Sequence, residues 1–261
     1  MRLKGKVAII TGAARGLGNY FAVDFAKEGA DIVVVDRALS DAPGAKHKTV
    51  EEVQALGRRA LAFKCDIGNE DNVNAMVQKT LEEFGRIDIL VNNAGIAWWP
   101  PITETPVKRF ELVIRVNLIG PFICVKAVLP TMIKQRSGSI INISSGSAEK
   151  RIRGFSGIAY GTSKAALQRL TYGMAAELGQ YNIAVNAIKP LDPIGTEGML
   201  ENAKPDVDKS SWASPELMVK ACTFLACQDA SGVTGVVAND NELCQWHGLD
   251  NPELHAGKVR A

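Results

Sequence analysis

The amino-acid sequence predicts an α/β fold: a doubly wound, three-layer arrangement in which a parallel sheet carries helices on both faces. Short aliphatic and β-branched runs alternate with stretches of helical periodicity, and most of the runs are continuously apolar, as strands covered on both faces are. One helix-length segment separates each pair of runs, which is the crossover that neighbouring parallel strands need. A glycine-rich turn between the first strand and the first helix then marks the edge where a ligand would sit.

In chain order, strand Val7–Ile10 leads to helix Leu17–Glu28, and strand Asp31–Asp36 to helix Lys46–Leu56. Strand Ala60–Cys65 precedes helix Asn69–Phe84, and strand Ile87–Asn92 precedes the long apolar helix Val107–Gln135. Strand Ser139–Ser144 is followed by helix Tyr160–Gly179, strand Ile183–Ile188 by helix Ser214–Ala226, and Gly232–Ala238 is the last strand. No internal repeat, low-complexity tract or composition break marks a linker, so residues 1–261 read as a single domain.

Composition removes several function classes. With 46% hydrophobic and 22% charged residues, the chain buries a large core and lies far from the disordered corner of composition space. Thirty Lys+Arg against 28 Asp+Glu give a net charge of +2, with no basic block beyond Lys150–Arg153, which argues against a nucleic-acid partner. No apolar run in this reading approaches the roughly 18 residues of a membrane span, and Val7–Ile10 is too short for the core of a signal peptide. Five cysteines, odd in number and without a CxxC pair, read as reduced thiols of a cytoplasmic protein. None of the three histidines stands at ligand spacing from another histidine or a cysteine, so no metal is expected.

The first strand runs into Thr11-Gly12-Ala13-Ala14-Arg15-Gly16-Leu17-Gly18. Gly12 allows a sharp turn, Gly16 lets backbone approach a pyrophosphate, and Gly18 lets the helix pack against the sheet. The spacing is G-x-x-x-G-x-G. Asp36 closes the second strand about 20 residues on, where a carboxylate can grip a ribose 2′-hydroxyl.

That turn, together with Asn92-Asn93-Ala94-Gly95 after the fourth strand and Tyr160-x-x-x-Lys164, resembles the classical short-chain dehydrogenase/reductase family over the first 200 residues or so. The resemblance implies a Rossmann-type sheet of seven parallel strands in the order 3-2-1-4-5-6-7. It implies that Asp66, with Ile67, contacts the adenine of a dinucleotide, that Asn93, Ala94 and Gly95 support the central strand and line the cofactor, and that Asp36 selects NAD over NADP. A 2′-phosphate beside that carboxylate is a like-charge contact in a partly desolvated cleft. Arg15 and Arg37 stand on the other side of the question, because NADP-using members of the family often carry basic residues there.

Tyr160 and Lys164 are i and i+4 on a helix and project from one face. A neighbouring ammonium and a cationic nicotinamide both favour the phenolate of a group whose ordinary pKa is about 10. Tyr160 is therefore expected to be the acid/base of a hydride transfer, with Lys164 beside it. Ser145, favoured over Ser144 by strand alternation and by the resemblance, would hydrogen-bond the substrate oxygen. Asn117 resembles the fourth family residue, which holds a water against the lysine.

Three segments depart from the family pattern. The connection from Ser145 to Tyr160 is longer by roughly two residues and carries Glu149, Lys150, Arg151 and Arg153, read as a solvated loop with an acidic substrate as the alternative. The turn after the sixth strand is Pro190-Leu191-Asp192-Pro193-Ile194-Gly195-Thr196, in which Pro190, Ile194 and Thr196 are expected to hold the nicotinamide. The family's acidic-Gly-Gly close is replaced by Asn239-Asp240-Asn241-Glu242, which opens a variant tail over about 239–261.

Trp98 and Trp99 stand at the expected substrate mouth and suit an apolar or cyclic alcohol, the alternatives being cover for a helix or an oligomer contact. The segment of about 191–212, polar from Glu197 onward, reads as a lid. The leading function is an NAD-dependent oxidoreductase on a secondary alcohol or its ketone. An NADP-dependent ketoreductase, a 3-hydroxyacyl dehydrogenase, a lyase or epimerase on the same fold, and a non-catalytic cofactor-sensing protein are the alternatives; the last two should have lost part of the Ser145, Tyr160, Lys164 set. A homotetramer or dimer through the Val107–Gln135 and Tyr160–Gly179 helices is implied by resemblance.

Overall fold

The structure, a computed structural model, describes residues 1–40, 47–149, 156–196, 209–210 and 212–249. Seven parallel strands form one sheet in the order β3-β2-β1-β4-β5-β6-β7, as the resemblance implied. They are β1 Val7–Thr11, β2 Asp31–Asp36, β3 Ala60–Lys64, β4 Ile89–Asn92, β5 Gly138–Ile143, β6 Ile183–Lys189 and β7 Val237–Asn239. The helices are α1 Gly16–Lys27, α2 Lys48–Ala55, α3 Glu70–Phe84, α4 Val107–Gln135, α5 Ile158–Leu178, α6 Glu216–Ala226 and α7 Asp240–Trp246.

The continuous apolar runs have the cause the sequence suggested. Every residue of β1, β4, β5 and β6 is buried, because both sheet faces are covered. On one face Ile10, Ile32 and Ile89 pack with Phe21 and Phe25 of α1 and Leu225 of α6. On the other, Ile9, Val33, Leu90 and Ile140 meet Met76 of α3 and Met132 of α4.

Three sequence expectations change. The last strand is shorter than Gly232–Ala238, because Gly235 turns with φ +75° and the preceding residues attach to β6 through side chains. Asn186 Nδ2 donates to the Val233 carbonyl and its Oδ1 accepts from the Val236 amide, at 2.8 and 3.0 Å. The tail after β7 begins as a helix, started by a capping box in which Asn239 and Glu242 each bond the other's backbone; residues 250–261 lie outside the described part.

The third concerns α4. Its best 18-residue window has a mean hydropathy of 1.9, so among the described residues this one helix is long and apolar enough to cross a membrane, contrary to the reading that no such run exists. Here it lies on the sheet, with Cys124, Val128 and Met132 in the core beside Leu90 and Ile140. A π-helical turn interrupts it at Arg115–Ile119, around buried Asn117.

Leu90 is completely buried on the central strand. Replacing it with alanine should cost about 2–5 kcal/mol of unfolding free energy by urea titration. A loss below about 0.5 kcal/mol would contradict the packing described.

Candidate active site

Strand order reverses between β1 and β4, and their carboxyl ends are locked together. Thr11 Oγ1 accepts from the amides of Asn93 and Ala94, both at 3.0 Å, and donates to the Val91 carbonyl at 3.2 Å. Asn93 Nδ2 returns two bonds, to the carbonyls of Thr11 and Gly12 at 2.8 and 3.1 Å.

The glycine turn crosses this lock. Gly12 has φ +65°, and a Cβ there would stand 2.8 Å from Ala94 Cα; on Gly18 a Cβ would stand 2.3 Å from the Gly12 carbonyl oxygen. Both positions therefore admit only glycine. Gly16, at φ +60°, faces nothing closer than Thr196 at 3.7 Å. The first turn of α1 contains no acid, and Arg15 gives it no side-chain cap. Its leading amides and the positive end of the helix are thus directed at the crevice, and the missing Cβ of Gly16 leaves backbone open to a phosphate, so the residues present fit a dinucleotide.

Asp36, at the end of β2, accepts from the Ala14 amide at 3.3 Å and from the Ala38 amide at 3.0 Å. These bonds aim its carboxylate at the glycine turn, while Arg15 and Arg37 are exposed. Asp66 follows β3, is exposed and accepts from the Gly68 amide at 2.9 Å; Ile67 beside it is buried.

At the end of β5 the two serines part company. Ser144 is buried and its Oγ accepts from Gln168 of α5 at 3.1 Å. Ser145 caps the one-turn helix Gly146–Ala148, its Oγ accepting from the Ser147 amide at 3.2 Å, and its side chain lies close enough to act on the Tyr160 phenol. Burial pushes the Tyr160 phenol above its ordinary pKa, and the Ser145 side chain draws it part of the way back. Lys164 Nζ is buried, donates to the Ile143 carbonyl at 2.7 Å and lies 5.7 Å from the Tyr160 ring centroid. Burial lowers its pKa to about 8.

Asn117 ties the π turn of α4 to both neighbours: its Oδ1 accepts from the Ile96 amide at 2.9 Å, and its Nδ2 donates to the Ile96 carbonyl and to Ser163 Oγ at 2.8 and 3.0 Å. A Cβ on Gly95 would stand 3.4 Å from Asn117 Oδ1 and 3.6 Å from Lys164 Nζ, so the glycine keeps open the gap between them.

The turn after β6 is pinned from two sides. Leu191 donates its amide to Asp240 at 2.9 Å, while Ala213 bonds the Pro193 carbonyl and the Gly195 amide at 2.9 and 3.1 Å around Ile194. Thr196 arrives beside Gly16, whereas Pro190 stays at the strand end. Lid residues 197–208 and the loop residues Lys150, Arg151 and Arg153 lie outside the described part.

Trp99 leans on Tyr160, with ring centroids 5.1 Å apart, and occupies the clearance at Gly157, where a Cβ would stand 2.7 Å from Trp99 Cε3. Trp98 lies under the Arg109 guanidinium at 5.2 Å, and its Nε1 is buried without a hydrogen-bond partner among the described residues. A cavity of about 570 Å³ borders the outer side of α5, lined by Ile158, Gly161, Thr162 and Ala165, a different helical face from Tyr160 and Lys164.

The sequence reading named Thr11 and Asp240 without a role, did not single out Gln168, and read the loop with Glu149 as solvated, whereas Glu149 pairs with Lys189 at 2.5 Å. A lysine as the one charged residue closing a strand of mostly apolar side chains was the available signal for the last.

A family model described as short chain dehydrogenase matches residues 6–204, and the chain belongs to that family. It is 36% identical over 244 residues to the 3-oxoacyl-(acyl-carrier-protein) reductase of Thermotoga maritima, covering 91% of this chain and 96% of the relative. The 7alpha-hydroxysteroid dehydrogenase of Escherichia coli K12 is 35% identical over 245 residues, with 91% and 93% covered. Among solved structures, an NAD+-bound xylitol dehydrogenase superposes with a TM-score of 0.81 at 30% identity, over 92% of this chain and 98% of that one. A metagenomic short-chain oxidoreductase in complex with NADP gives 0.76 at 28%, over the same shares, 92% and 98%.

The buried ammonium has a stability signature. With a folded pKa of about 8, below the unfolded lysine value, Lys164 binds fewer protons folded than unfolded between pH 8 and about 10.5, so its contribution to stability rises with pH there. The unfolding free energy of the cofactor-free protein, relative to Lys164→Met, should increase across that window by on the order of 3 kcal/mol. A difference that does not vary with pH would contradict the burial of a charged Lys164.

Proposed function

We propose that this oxidoreductase is NAD-dependent and interconverts a secondary alcohol and its ketone by hydride transfer, on an apolar or cyclic substrate. The observation that carries the reading is Tyr160, acted on by the Ser145 side chain, on the same helix as a buried Lys164 whose Nζ donates to the neutral Ile143 carbonyl and lies 5.7 Å from the Tyr160 ring centroid. A bound dinucleotide supplies the hydride acceptor or donor. Tyr160 takes the hydroxyl proton in oxidation and returns it in reduction, Ser145 holds the substrate oxygen, and Lys164 favours the phenolate. Asn117 holds a water against Lys164 across the Gly95 gap and extends the proton path.

For the cofactor, the reading assigns the pyrophosphate to Gly12, Arg15, Gly16, Leu17 and Gly18, the adenine to Asp66 and Ile67, and the central lining to Asn93, Ala94 and Gly95. Pro190, Ile194 and Thr196 hold the nicotinamide end. NAD is favoured because the Asp36 carboxylate is fixed by two amides at the glycine turn, where a 2′-phosphate would meet its charge. A second reading, an NADP-dependent ketoreductase of 3-oxoacyl type, draws on exposed Arg15 and Arg37 and on the Thermotoga relative. Trp99 supports an apolar or cyclic substrate by standing over Tyr160. Exposed Leu112, Ile119 and Phe122 on α4, with Ile158 and Tyr172 on α5, support a homo-oligomer, and the protein is assigned to the cytoplasm.

Tyr160→Phe should lower turnover by at least about 10²-fold, the scale of a lost acid/base, with dinucleotide affinity within a factor of about three. Substantial residual turnover would refute the role. In fluorescence titrations the protein should bind NADH more tightly than NADPH, and Asp36→Ala should narrow or reverse that order; tighter NADPH binding by the unmodified protein would sink the NAD assignment.

A further inference from the structure

The chain after Gly95 is tied down before it reaches Trp99. Asn117 bonds both the amide and the carbonyl of Ile96, at 2.9 and 2.8 Å, and the Arg109 guanidinium of α4 covers the Trp98 ring at 5.2 Å. The Trp99 ring then seats on the start of α5, the helix that carries Tyr160 and Lys164. Gly157 caps that helix at φ +96°, and its carbonyl accepts the Gly161 amide at 3.0 Å. A Cβ at Gly157 would stand 2.7 Å from Trp99 Cε3 and 3.1 Å from Trp99 Cζ3. Glycine is therefore required there twice over, by the left-handed backbone and by the edge of the indole.

From this seat the indole lies 5.1 Å from the Tyr160 ring, centroid to centroid, with the planes tilted by 55°, a contact of the kind that aromatic pairs favour. The Lys164 ammonium lies 5.7 Å from the same Tyr160 centroid, so an indole and an ammonium both bear on one phenol ring. Trp99 is itself 47% exposed, whereas Tyr160 is half-buried. An indole left half in water adds little to the core, but here it covers a part of Tyr160 that water would otherwise reach. The burial that raises the phenol above its ordinary pKa agrees with such a cover. A ring wedged between Gly157 and Tyr160 also limits the rotamers open to Tyr160, which holds a reacting group near one geometry.

We propose that Trp99 is a positioning residue for Tyr160: seated on Gly157, it braces the phenol ring beside Lys164 and keeps water off it, so that the phenol exchanges its proton with substrate rather than with solvent. This rests on the acid/base role read for Tyr160 and adds to it a residue that acts through the tyrosine. Gly157 is then the counterpart of Gly95, a missing side chain that keeps room for a neighbour of the reacting group.

Fluorine NMR of protein labelled with 3-fluorotyrosine tests the cover without needing turnover. The four tyrosines give separate signals, and that of Tyr160 is identified by its loss in Tyr160→Phe. Transfer from water to deuterium oxide should move the Tyr160 signal less than that of Tyr172, which is exposed. Trp99→Ala should bring the Tyr160 response up toward that of Tyr172, and Trp99→Phe, which keeps a ring on Gly157, should leave it low. An unchanged Tyr160 response in Trp99→Ala overturns the proposal. Kinetics with trans-1-decalone and the dinucleotide bound more tightly, NADH or NADPH, supply the second arm. Trp99→Ala should lower kcat by about tenfold with KM within about threefold, and Trp99→Phe should restore most of the loss. A raised KM at unchanged kcat would make Trp99 a wall of the substrate site and overturn the positioning role. Absence of turnover by the unmodified protein would count against the cyclic-ketone reading alone, and the fluorine arm then decides this one.

Discussion

The Lys164 ammonium hydrogen-bonds the Ile143 carbonyl at the end of β5, inside the protein, and no carboxylate among the described residues forms an ion pair with it. The neighbouring elements are shaped around that contact. α5 crosses the strand end with its second turn, and α4 opens a π turn at which Asn117 reaches both Ile96 and Ser163. A charge held by a neutral carbonyl is tolerated at a cost, and burial expresses that cost as the fall of its pKa to about 8. On the proposed reading the cost is offset when negative charge develops on Tyr160, which is the condition for a lysine to assist a phenol.

The remaining parts of the carboxyl edge are fixed by short connections between strand ends. Thr11 and Asn93 join β1 to β4, Asp240 joins the turn after β6 to the start of α7, and Lys189 with Glu149 joins β6 to the turn after Ser145. Each tie runs from a rigid strand end to a turn, so the turns inherit the precision of the sheet. Family membership and this edge account for an oxidoreductase; the substrate reading depends on Trp99 standing over Tyr160.

The order of strands and helices was legible because continuous apolar runs and helical periods are local properties, and the glycine turn was legible because Gly12 and Gly18 answer to steric limits within a few residues. Elsewhere local pattern fell short. Gly232–Ala238 reads as a strand, but the Asn186 side chain and Gly235 divert its first half. The α7 helix carried its own signal in Asn239-Asp240-Asn241-Glu242, an N-x-x-E capping pattern read instead as a lost motif. The apolar stretch of α4 was undervalued because Asn117 and Lys126 break it in the sequence, though one is buried in a polar network and the other lies on the surface. The Glu149 pairing needed a residue 40 positions away. Such contacts between distant segments leave no trace in local periodicity.

The central claim is that the buried Lys164 charge lowers the pKa of Tyr160 once a dinucleotide is bound. Ultraviolet difference spectra of the dinucleotide complex against its Tyr160→Phe counterpart, followed over about pH 6 to 11, isolate that one phenol from the ordinary tyrosines that ionise near 10. The account predicts a phenolate band appearing well below 10 when Lys164 is present and returning to 10 or above with Lys164→Met. The same titration midpoint in both backgrounds would contradict it.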